Sequence, residues 1–94
     1  MLGKDTYANG QKIYVLSGKK LTYYYKSGKL KAEGPYINEL FEGEWKFYRE
    51  TGQLWEIGHF MNNLKHGSWV RWDRSDKIEY DENFIEGKIV KKKK

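Results

Sequence analysis

The chain reads as an all-β protein, a single elongated antiparallel sheet of stacked β-hairpins, and three observations predict it. A residue pattern recurs every 24 positions, the mark of repeated supersecondary units. Within each period two short aromatic runs flank a glycine-bearing turn, which is the signal of a hairpin. Ten glycines are spread through the 94 residues, and no window longer than about ten residues keeps a helical 3.6 period.

The clearest period runs from Gly43 to Gly67. Moving 24 places toward the N-terminus takes Tyr48 to Tyr24, Gly52 to Gly28, Leu54 to Leu30, Gly58 to Gly34, Asn62 to Asn38 and Leu64 to Leu40. Moving 24 places the other way takes Gly43 to Gly67, Trp45 to Trp69 and Phe60 to Phe84, with Tyr48 meeting Trp72 and Leu54 meeting Ile78. Average residue usage would give about one or two identities in each alignment. Six and three are found.

Taken in order, residues 1–18 form a degenerate edge segment, with a turn at Asn9-Gly10 and one further strand expected from Lys12 to Leu16. Repeats follow at 19–42, 43–66 and 67–90 within one 94-residue domain, and 91–94 is a basic tail. In the first repeat LTYYY and KLKAEGPYI flank Lys26-Ser27-Gly28, and in the second GEWKFY and QLWEIGHFM flank Arg49-Glu50-Thr51-Gly52. The recurring glycine is expected in a left-handed conformation. Asp76 takes its place in the third repeat, and Asp tolerates that conformation. Asn38 to Gly43 and Asn62 to Gly67 are the connectors between hairpins. About six or seven strands are expected on this reading.

The run Gly-x-Trp-x-x-Tyr, then x-x-x-Gly-x-Leu, then Gly-x-Phe and a closing Gly resembles the MORN repeat, in the bacterial variant of YwqK-type antitoxin proteins. The resemblance covers roughly residues 19 to 90. It implies hairpins stacked into a twisted sheet, and a non-enzymatic protein-interaction module with an antitoxin-like role. The third unit departs from the pattern where Gly58 becomes Glu82 and Gly52 becomes Asp76, which suits a terminal, capping unit. MORN repeats also accompany some phosphoinositide kinases, so a chain like this can be labelled a phosphatidylinositol phosphate kinase by repeat similarity although no kinase domain is present.

Composition narrows the chemistry. Without cysteine there are no disulfides, thiolate metal sites or thiol nucleophiles. No phosphate loop, dinucleotide fingerprint or Gly-x-Ser-x-Gly turn occurs. His59 and His66 read as a strand residue and a turn residue rather than metal ligands, and acidic pairs such as Asp81-Glu82 or Glu42-Glu44 read as surface charges. A shallow single sheet is expected to offer no concave pocket that would perturb them. No catalytic residue, cofactor site or metal site is therefore assigned.

Sixteen residues are Phe, Trp or Tyr, and these must make the core of so short a chain. Most recur with the period, but Trp55 aligns with Lys31 and Glu79, Phe41 with Lys65, and Tyr25 with Arg49. Trp55, Phe41 and Tyr25 are thus the candidate interaction surface, with Trp55 as an exposed anchor. Tyrosines interleaved with basic residues in Lys19 to Lys31 are accounted for by the repeat, which makes nucleic acid an unlikely partner.

The net charge of +5 is a tail property. Residues 1–34 carry seven Lys against two acids, residues 68–87 carry six acids against three bases, and Lys88 with Lys91 to Lys94 supplies five more lysines. Lys91, Lys92, Lys93 and Lys94 are the candidate contact for phosphoinositide or other anionic lipid, the alternative to a protein partner. No apolar run reaches signal-peptide or membrane-span length, so the expected location is the cytoplasm, with membrane association through the tail. Self-association into a homodimer is expected as well. A stack this short leaves open edges, the first defended by Lys12, Lys19 and Lys20 and the last by Asp81, Glu82 and Glu86.

Overall fold

The computed structural model describes residues 2–90. These residues form ten strands, β1 (Tyr14–Ser17), β2 (Lys20–Tyr24), β3 (Leu30–Ile37), β4 (Leu40–Phe41), β5 (Gly43–Tyr48), β6 (Leu54–Met61), β7 (Leu64–Lys65), β8 (Gly67–Trp72), β9 (Ile78–Ile85) and β10 (Lys88–Val90). All belong to one open antiparallel sheet, ordered β1-β2-β3-β5-β6-β8-β9-β10, with β4 beside β3 and β7 beside β6. The sheet is elongated, about 51 × 35 × 19 Å. The strand number exceeds the six or seven expected because the connectors themselves pair: each long strand ends in a tight hairpin to a two- or three-residue strand before the chain moves on.

Two turn types alternate, and backbone sterics explain both. The loops at 38–39, 62–63 and 86–87 hold both central residues at positive φ, with 53° and 64°, 50° and 72°, and 47° and 85°, the geometry that joins right-twisted strands by two residues. Asn fills three of these six positions, being the non-glycine residue that reaches φ > 0 at least cost. The other turn places Gly28, Gly52 and Asp76 at φ 91°, 95° and 62°. Each closes with the same pair of bonds, Tyr25 N–H to the Lys29 carbonyl and Gly28 N–H to the Tyr25 carbonyl in the first unit. A further copy lies near the N-terminus, where Tyr7 N–H donates to Gln11, Gly10 N–H donates to Tyr7, and Gly10 has φ 88°. The strand expected from Lys12 begins at Tyr14, because Lys12 is taken up in a bridge with Thr6 across that turn.

The core lies on one face of the single sheet. Leu21, Trp45 and Trp69 occupy equivalent positions on β2, β5 and β8 and are almost wholly buried. Trp45 stands opposite Gly58, and Trp69 opposite Glu82. Each indole lies flat across the preceding hairpin's glycine. A Cβ on Gly34 would come within 2.4 Å of Trp45, and one on Gly58 within 2.4 Å of Trp69. Each indole N–H then reaches that hairpin's backbone, Trp45 Nε1 to the Pro35 carbonyl at 2.9 Å and Trp69 Nε1 to the His59 carbonyl at 2.8 Å. A sheet with no second layer thereby buries its apolar surface under its own rings. The third unit can carry Glu82 because, among the described residues, no following hairpin lays a tryptophan over it as Trp45 lies over Gly34 and Trp69 over Gly58.

Rings continue the ladder along the face. Tyr14 meets Tyr23 at 6.0 Å, Tyr23 meets Trp45 at 6.3 Å, Phe47 meets Trp69 at 6.0 Å, and Trp69 meets Phe84 at 6.3 Å. These contacts sit at the offset distances that aromatic pairs prefer.

At the last edge β10 pairs beside β9 only from Asn83 to Ile85, so Asp81 and Glu82 lie on the stretch of β9 left open, as expected, while Lys88, Ile89 and Val90 are outermost beyond it. The first edge is β1, with Val15 and Leu16 exposed between the lysines.

Candidate functional site

A repeated irregularity places Trp55. On β5 and β6 the register slips after Phe47, so that Phe47 faces Glu56 and Tyr48 faces Leu54, leaving Trp55 as a bulge residue. The same slip occurs at Lys31 and at Glu79. A bulge re-aims a side chain, and here it turns position 55 toward the aromatic face beside Glu56. Repeat comparison marks this position as variable, and the bulge is the structural reason: its side chain stands beside the ladder instead of within it.

Trp55 is half-buried rather than an exposed anchor, because two guanidinium groups cover its ring. Arg49 stands 5.3 Å and Arg71 5.4 Å from the indole centroid, distances of cation–π contact. Arg71 also covers Tyr80 at 5.2 Å and approaches the Glu56 carboxylate at 3.5 Å. Glu56 is buried, and its equivalents are Ala32 and Tyr80. A charged pair thus stands inside an otherwise apolar ladder, where burial of an unpaired carboxylate would be prohibitive. The Nε–H groups of Arg49 and Arg71 are buried without an acceptor.

Phe41 and Tyr25 have structural duties that their sequence equivalents hide. Phe41 packs on Trp45 at 5.0 Å, Phe60 at 5.4 Å and Tyr36 at 5.5 Å. Lys65, 24 residues on, does the same by charge, its ammonium 4.5 Å over Trp69 and 5.0 Å over Phe84. Tyr25 donates its hydroxyl to the Tyr48 carbonyl at 2.6 Å, Arg49 donates Nη2 to the Trp72 carbonyl at 3.0 Å, and Tyr7 donates to the Tyr24 carbonyl at 2.8 Å. Two tyrosines and an arginine thus clip successive hairpins together. Tyr25 therefore departs from the repeat in residue type while keeping its role.

All three candidates nevertheless meet at one place. Trp55, Phe41 and Tyr25 line a cavity of about 270 Å³ with Trp45, Phe47 and Phe60, open to one side. This corrects the expectation that a single sheet offers no concavity: upright rings and the bulged Trp55 build walls that a flat backbone lacks. Lys31, also at a bulge, extends over the Tyr25 ring at 5.5 Å. A second depression of about 300 Å³ adjoins through Tyr25 and Trp55 and adds Arg49, Glu50 and Arg74. Burial raises the pKa of the Tyr23 and Tyr25 phenols above the ordinary tyrosine value, so both remain neutral donors at physiological pH.

Arg49, Glu56 and Arg71 were not singled out by sequence, although a signal existed. Arg71 aligns with Tyr23 and Phe47, and Glu56 with Ala32; two apolar positions become charged in adjacent units, as a cross-strand pair would require. The histidines serve as turn and strand residues. His66 Nδ1 accepts from Glu86 N–H at 3.3 Å, as Glu42 accepts from Asn62 N–H at 3.1 Å one unit earlier. His59 Nδ1 lies 2.8 Å from the Ser68 carbonyl. Among the described residues no three His, Asp or Glu side chains cluster as metal ligands would. Lys91 to Lys94 lie outside the described residues.

Comparison with known proteins agrees with this architecture at the level of the repeat. No curated protein and no solved structure matches the chain. Two segments, residues 18–38 and 41–62, each match the family model described as the MORN repeat variant, a non-catalytic repeat found generally in modules that bind proteins or lipids.

Proposed function

We propose that the chain is a non-enzymatic interaction module whose aromatic face seats a protein partner, an antitoxin-like role in keeping with its resemblance to YwqK-type proteins. One observation carries this reading: Trp55, Phe41 and Tyr25 converge on a single open apolar cavity. Pockets that accept a partner's side chain beneath aromatic and arginine residues are where binding energy concentrates. The chain works in the cytoplasm, and its open edges at β1 and β9 draw two copies into a homodimer.

The test is recovery of a stoichiometric partner from extract of the native cell by the full chain as bait. Substitution Trp55→Ala should remove that partner while the bait stays folded. A second reading follows from the five lysines from Lys88 onward: peripheral association with phosphoinositide or other anionic membranes. Sedimentation with phosphatidylserine or phosphoinositide vesicles that disappears when Lys91 to Lys94 are replaced by glutamine, with no protein partner recovered, would favour it.

A further inference from the structure

The charge around the cavity identifies the chemistry of its occupant. Lys31 stands over Tyr25, while Arg49 and Arg71 stand over Trp55, and Arg74 lines the adjoining depression. Two carboxylates oppose these four cations. Glu56 is engaged by Arg71, and Glu50 shares the second depression with Arg49 and Arg74. Among the described residues Arg74 has no ion-pair partner, and Arg49 spends only Nη2, on a backbone carbonyl. The site therefore carries uncompensated positive charge beside a pocket walled by rings. Its volume of about 270 Å³ lies below the ~300–1,000 Å³ of small-molecule sites, and suits one large side chain.

Resting on the protein-partner reading above, we propose that the two depressions form a bipartite dock for a short acidic segment of the partner. Its single large apolar side chain enters the cavity between Phe41 and Trp55, and a neighbouring carboxylate meets Arg49 and Arg74. The Arg49 guanidinium, held in place over Trp55, loses little freedom on meeting a carboxylate. The apolar anchor supplies affinity and the arginines supply selection against basic sequences.

Fluorescence anisotropy of the full chain with short fluorescein-labelled peptides tests this. One peptide carries Phe flanked by Asp and Glu, a second replaces the acids by Lys, and a third replaces Phe by Ala. Saturable binding is expected for the first, binding about tenfold weaker for the third, and none for the second. Arg74→Glu, at an exposed position, and Arg49→Gln should each weaken the first by about tenfold. The combined Lys91→Gln, Lys92→Gln, Lys93→Gln and Lys94→Gln variant should bind it as the unaltered chain does. The proposal is overturned by equal binding of the lysine peptide, by indifference to Arg74→Glu, by no binding of any peptide, or by a single-stranded oligonucleotide competing as well as the acidic peptide. If Trp55→Ala abolishes capture of the native partner and the arginine variants do not, this inference fails and the interaction reading stands. If none of these variants affects capture, the interaction reading fails as well.

Discussion

At the scale of single residues, two kinds of glycine separate cleanly. Gly52 sits at φ 95° with open space where a Cβ would project, so only backbone strain opposes a side chain. Gly52→Val should destabilise by about 1–3 kcal/mol, whereas Gly52→Asn should be tolerated, as Asp76 is at φ 62° in the equivalent turn. Urea denaturation decides it, and equal losses for the two would refute the turn assignment. Gly58 is the opposite case. No positive φ constrains it, yet an added Cβ would sit 2.4 Å from the Trp69 ring. Gly58→Ala should cost about 1–3 kcal/mol by overpacking, and Trp69 fluorescence should change with it. Sequence displayed both glycines as repeated letters and could not tell them apart, because one is conformational and the other a contact made across two strands.

Hairpins are the next scale, and here the tryptophans divide in the same way. Trp45 is buried over Gly34 and bonded to Pro35, and Trp45→Ala should cost about 3–5 kcal/mol as a large-to-small core change. Trp55 stands on a bulge under two arginines, so Trp55→Ala should cost markedly less, a difference read directly from paired denaturation curves. The interhairpin clips form a third class. Tyr25→Phe removes only the hydroxyl that reaches the Tyr48 carbonyl, and should lower stability by about 0.5–1.5 kcal/mol without altering the sheet's circular dichroism. The repeat, its turns and the aromatic ladder were legible in sequence because each recurs with the 24-residue period. The cavity was not, since its walls come from Phe41 on β4, Trp55 on β6 and Tyr25 just beyond β2, and from bulges that no residue pattern announces.

Across the whole molecule, stability is a sum of neighbouring hairpin contacts, and cross-strand ion pairs tie it to pH. The Lys20 ammonium, 3.0 Å away, together with the Tyr48 hydroxyl holds the Glu33 carboxyl below its ordinary pKa. A carboxylate depressed in the folded state stabilises above its unfolded pKa, and this contribution is lost as pH falls through the folded value. The fall in melting temperature between about pH 5 and pH 3 should therefore be shallower in Glu33→Gln. Open edges at β1 and β9 should make the chain dimerise; sedimentation equilibrium returning only the 11.3 kDa monomer at low and moderate salt would contradict that. The central claim is that the aromatic face binds a partner through Trp55, and the most direct measurement is recovery of the native partner by Trp55→Ala bait beside the unaltered chain, with denaturation curves of both. The interaction reading predicts loss of the partner with most of the stability retained. Recovery at the unaltered level, or a stability loss larger than that of Trp45→Ala, would contradict it.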